Sequence, residues 1–100
     1  EPMVKSAELL VEMCDDLEKA IKELRSLKNI RVIADACVRI NSAENQADYV
    51  CNVAIARLFE FETNAIELIK QKEILQTLEI ATDKCEDAAN VLESILVKNA

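Results

Sequence analysis

A chain of 100 residues has room for one domain and one hydrophobic core. Hydrophobic residues make up 51% of it but aromatics only 3%, Gly is absent and Pro occurs once, so the core must be filled by Leu, Ile, Val, Ala and Cys, and strand-rich folds with tight hairpins are set aside. The net charge of −7, with no dense Lys/Arg stripe, argues against a nucleic-acid partner, and the longest uncharged run, the eight residues from Tyr49 to Ala56, is far short of the ~20 that a membrane-spanning helix needs.

From Met3 onward apolar residues fall at Ala7, Leu10, Cys14, Leu17, Ile21 and Leu24, a four-three alternation that predicts a first helix with a coiled-coil-like seam. Pro2 suits its first turn, where a missing N–H costs nothing, and the helix should run to about Leu27, with Asn29 as the break. A second seam runs through Ile33, Ala36, Cys37, Ile40, Ala43, Ala47, Val50, Cys51, Ala54 and Leu58, which predicts a helix from about Ile30 to Phe59. The stretch Phe61 to Asn64 interrupts it. Asn64 and Glu67 have capping-box spacing and open a third helix, whose apolar face follows Leu68, Leu75, Leu78, Ala81, Cys85, Ala89, Leu92 and Leu96 to about Lys98. Short connections force neighbours antiparallel, so the expected fold is an all-α, up-down-up, antiparallel bundle of three long helices occupying residues 1–100.

The four cysteines show no Cys-x-x-Cys pair, and with no His there is no zinc-finger ligand set. Each sits among apolar residues, so all four read as small buried hydrophobes of a reducing, cytoplasmic compartment. No signal sequence opens the chain, and a start at Glu1 rather than Met fits a piece of something longer. The absence of a His base, a Gly-rich phosphate loop or an activated Ser or Cys argues against an enzyme.

The carboxylates are more informative. At 100° per residue Glu44 falls inside the apolar arc of the second helix and Asp48 at its edge. On the third, Glu79, Asp83 and Asp87 follow at four-residue intervals, with Glu86 and Asn90 beside them. A turn centred near Glu62 would set Glu44 level with about Ile80, bringing Glu44 and Asp48 towards Glu79 and Asp83. Crowded carboxylates repel, and a hard cation such as iron, manganese, magnesium or calcium would relieve that repulsion. Against this stand two plainer readings: the stripe from Glu79 to Asn90 as a solvated face, and a cation from the first helix, such as Arg25, paired with Glu44.

The segments Glu44-Asn45-Gln46-Ala47-Asp48, Ala56-Arg57-Leu58-Phe59, Ile66-Glu67-Leu68-Ile69-Lys70 with Lys72-Glu73-Ile74, and Leu78 through Asn90 resemble the PhoU-like phosphate-transport regulators, in the branch associated with Pit-type low-affinity transporters. The resemblance covers residues 30–100 and includes two Glu-x-x-x-Asp elements, Glu44 to Asp48 and Glu79 to Asp83. It implies a cytoplasmic, non-enzymatic regulator made of two three-helix repeats, of which this chain is similar to the second. It implies carboxylate-bound metal, often iron, with Glu44, Asp48, Glu79, Asp83 and Asp87 as ligands and Glu86 and Asn90 as weaker candidates. The implied partner is a phosphate transporter or its regulatory partner at the cytoplasmic membrane face, with self-association open. Gln46 stands where that family usually has an acidic residue, which removes one charge available to a metal, and Ala65 stands where it often has Pro. A metal-free helical adaptor or oligomerisation domain is the competing expectation.

Overall fold

A computed structural model describes residues 1–26 and 29–99. Three helices, α1 (Pro2–Ser26), α2 (Ile30–Phe61) and α3 (Ala65–Lys98), form the up-down-up bundle, 54 Å along its longest axis, and no strand occurs among the described residues. No described helix is long and apolar enough to cross a membrane.

Side-chain oxygens set the helix starts. The Met3 N–H donates to Glu1 Oε1 at 3.3 Å, ahead of Pro2's contribution of a preset φ. Asn29 Oδ1 accepts from the Val32 N–H and opens α2 at the expected break; the end expected for the first helix at Leu27 lies outside the described residues. Asn64 Oδ1 accepts from both the Ile66 and Glu67 N–H groups, at 3.0 and 3.1 Å. Only half of the expected capping box forms, because Glu67 accepts from Gln71 Nε2, one turn on, instead of reaching back. The connection needs no glycine: Glu62 and Asn64 both lie at negative φ in extended conformations. Replacing Asn64 with Ala leaves two helix-terminal donors without their acceptor, and urea unfolding should show a loss of about 1 kcal/mol that Asn64→Asp largely avoids.

Two expectations need correction. α2 continues to Phe61, where the Glu62 N–H still bonds the Leu58 carbonyl, so the α2–α3 turn is centred on Thr63 rather than Glu62. The register is visible in two thiols that cross the interface: Cys37 Sγ donates to the Ala89 carbonyl at 3.5 Å and Cys51 Sγ to that of Leu75 at 3.6 Å, so facing residue numbers sum to 126. Glu44 is therefore level with Thr82, not Ile80. In α1 the buried line is Ser6, Leu9, Met13 and Ala20, one residue N-terminal of the expected seam, while Ala7, Cys14 and Ile21 turn outward. Apolar residues occupy both lines in α1. The choice is made by α2, whose Cys51 offers the Ser6 hydroxyl a partner at 3.4 Å and thereby satisfies a polar group that did not read as core.

The core divides into two apolar clusters. The larger joins Leu9, Met13 and Ala20 to Ile33, Ile40, Ala47, Ala89 and Leu92, and the smaller gathers Cys51, Ala54 and Leu75, with Met3 and Leu58 against them. Along the α2–α3 seam, the stretch between Leu75 and Cys85 separates them. The carboxylates lie in that gap. Arg39 Nε donates to Asp16 Oδ1 at 3.0 Å and links α2 to α1 across the larger cluster.

Candidate metal centre

Cys37, Glu44 and Cys51 are spaced by heptads on α2 and meet the heptad series Ala89, Thr82 and Leu75 on α3. The outer two layers place a weakly polar thiol against a backbone carbonyl. The middle layer holds a carboxyl group. Glu44 is only 5% exposed and Thr82 is fully buried, its hydroxyl donating to the Glu79 carbonyl at 2.9 Å.

Glu44 reaches the edge of the seam, where it meets the half-buried Asp48 one turn along α2 and the exposed Asp83 on α3. One carboxylate oxygen from each of the three lies within 4.8 Å of the others. Among the described residues no Lys or Arg lies within ion-pair distance of Glu44: the ion pairs join Lys22 to Glu18, Arg31 to Asp35 and Arg39 to Asp16. Arg25, considered from sequence as its partner, sits in the last turn of α1, away from the level of Glu44.

Burial first, then hydrogen bonds with Asp48 and Asp83 and the charges of Asp48 and Glu86, push Glu44 up to about 8, so it carries a proton at neutral pH. Glu79, half-buried on α3, is raised in the same direction, by burial and then by the charges of Asp48 and Asp83. The site is an acidic cluster at the edge of the α2–α3 seam without a neutralising cation from the protein's described residues.

The seven candidates expected from sequence, two on α2 and five on α3, separate by height along the α2–α3 seam. Glu44, Asp48 and Asp83 are brought together, and Glu79 and Glu86 are half-buried neighbours acting on them through charge. Asp87 and Asn90 are exposed and lie about 7 and 12 Å along the axis beyond Thr82, the level of Glu44, at 1.5 Å per residue. Asn90 instead borders a shallow surface with Glu93, Ser94 and Lys98. The shared stripe is real in angle but spans too many turns to act at one point. Thr82 was not singled out from sequence; its position midway between Leu75 and Ala89 was the available signal.

The donor set is chemically suited to a hard cation. Two ligand oxygens on one ion can be separated by at most twice the metal–oxygen distance, about 4.1 Å for magnesium and about 5 Å for calcium. Separations within 4.8 Å thus match the larger ions as they stand and the smaller after modest side-chain rotation. Without an ion, the same oxygens share protons.

No protein-family model matches the chain, and no solved structure matches it. Over 78 residues, or 78% of its length, the chain is 35% identical to the UPF0111 protein YkaA of Bacillus subtilis strain 168, and it is similar to that protein over 38% of the latter's length.

Proposed function

We propose that this chain is part of a PhoU-like, non-enzymatic regulator of inorganic phosphate transport that works in the cytoplasm, at the membrane face where a transporter or its regulatory partner is docked. The sequence segments quoted above support the family reading, and the all-α bundle agrees with the architecture it implies. In this reading Glu44, Asp48 and Asp83 hold a hard cation, iron or alternatively manganese, magnesium or calcium, with Glu79 and Glu86 reinforcing the negative field. The observation that carries it is a buried carboxyl, Glu44, pressed against two further carboxylates with no described cation at hand. A protein retaining such a group without use would be giving up stability. When bound, the ion neutralises the cluster and joins α2 to α3.

A metal-free adaptor is the second reading, favoured by large apolar side chains left exposed at the α2–α3 end of the bundle, among them Phe59, Phe61, Ile66 and Ile69. Elemental analysis of untagged protein purified without chelator separates the two. At least one bound ion per chain, lost in a Glu44→Ala, Asp83→Ala double variant, is the expected result; no metal in either protein would leave the adaptor. The phosphate assignment has its own test. Radiolabelled phosphate uptake should change in cells deleted for the gene and recover with the wild-type copy, and an unchanged uptake would remove it.

A further inference from the structure

Cys14 and Cys85 stand apart from the other two cysteines. Cys37 and Cys51 are fully buried, and each thiol is occupied by an α3 carbonyl. Cys14 is exposed on α1 and Cys85 half-buried on α3, contrary to the uniform burial expected from sequence, and their sulfurs lie 3.8 Å apart. The reason for the exposure is the one-residue displacement of the α1 seam, which turns Cys14 to the rim of the α1–α3 groove. α1 and α3 run parallel and share the sparsest of the three helix interfaces.

We propose that Cys14 and Cys85 form a reversible disulfide linking α1 to α3, with a low-molecular-weight disulfide of the glutathione type as oxidant. The sulfurs must approach by about 1.8 Å to reach the S–S bond length of about 2.04 Å, a movement within reach of thiol rotation and a slight closing of the groove. Solvent access assigns the order of events. Cys14, as thiolate, attacks one sulfur of the small disulfide; that S–S bond breaks and one small thiol leaves. Cys85 then loses its proton to solvent and attacks Cys14 Sγ, breaking the mixed disulfide and expelling the second small thiol. Two protein thiols give up two electrons and two protons, and one small disulfide becomes two thiols.

The bond would close a loop between residues 71 apart in sequence, the kind of long-range link that most restricts an unfolded chain. The proposal is independent of any cation and tests separately. The whole chain is incubated with mixtures of oxidised and reduced glutathione, quenched with acid, alkylated and mapped by mass spectrometry. The expected product is a monomer lighter by about 2 Da with a Cys14–Cys85 linked peptide, Cys37 and Cys51 alkylated only after denaturation, and a Tm higher by roughly 10 °C or more. Cys85→Ser should stop at a glutathione adduct on Cys14, and Cys14→Ser, an exposed and therefore mild change, should form neither adduct nor link. A wild-type protein that keeps the adduct on Cys14 without closing the link, that joins Cys14 between two chains, or that leaves both thiols free in fully oxidised buffer overturns the proposal.

Discussion

Stripped of cations, the protein should lose stability as pH rises from 5 to 8.5, the reverse of the usual behaviour of salt-bridged carboxylates. Glu44 has a folded-state pKa of about 8 against an ordinary value of 4.5, so between those limits the folded state binds more protons than the unfolded one. Linkage then makes the unfolding free energy fall with pH: the contribution of Glu44 is fully present below about 4.5 and lost progressively up to about 8. Glu79 acts with the same sign. The expected total is on the order of 2–4 kcal/mol, seen as a drop in Tm of about 10 °C or more in chelator-containing buffer. Glu44→Gln keeps the shape and hydrogen bonding of the protonated acid, so it should flatten the profile and exceed the wild-type stability at pH 8.5. A divalent cation at about 100 times its Kd should restore about 2.7 kcal/mol to the wild type and nothing to Glu44→Gln. A wild-type slope that survives in Glu44→Gln would show that the titrating group lies elsewhere.

This behaviour follows from the part of the site that periodicity makes legible. Glu44 lies seven residues from both Cys37 and Cys51, so any helix that buries those thiols against α3 also buries the carboxyl. The helix starts at Asn29 and Asn64 were legible for a similar reason, because their side chains answer a local need, the unpaired first-turn N–H groups. Properties that depend on a second helix were not. The α1 line was ambiguous because Ala7, Leu10 and Cys14 offer as apolar a stripe as Leu9 and Met13 with Ser6; only contact with Cys51 makes Ser6 an acceptable core residue. Likewise Asp87 and Asn90 share an angle with Asp83, but the point at which α2 delivers Glu44 was displaced by two residues once α2 ran on to Phe61. Which members of an acidic stripe meet is a matter of register between helices. No periodicity within one helix contains it.

Ile40→Ala should cost about 3 kcal/mol, within the range of 2–5 for removing a buried aliphatic side chain, whereas Phe61→Ala should change stability by less than about 0.5 kcal/mol despite deleting far more carbon. Ile40 is completely buried in the larger apolar cluster, surrounded by Ala36, Cys37 and Ala43 from its own helix and by residues of the other two. The neighbours on its own helix are short. A cavity opened among Ala and Cys side chains has few flexible groups able to move into it, so the vacated volume should persist and the loss should sit above the transfer term alone. Phe61 is 68% exposed at the end of α2, beyond the smaller cluster, and Phe59 nearby is 60% exposed with Lys72 over its ring. The two phenylalanines are thus expected to contribute little to the fold, and the packing that α2 needs to hold Glu44 against Asp83 rests on its Ala and Cys residues set among larger Leu, Ile and Met side chains. Urea unfolding of the two variants at one pH, with fixed metal content, reads the comparison directly: a Phe61→Ala loss equal to that of Ile40→Ala would mean that the end of the α2–α3 hairpin is buried in solution. Such a result would also identify the surface that covers it as part of the folded protein's stability.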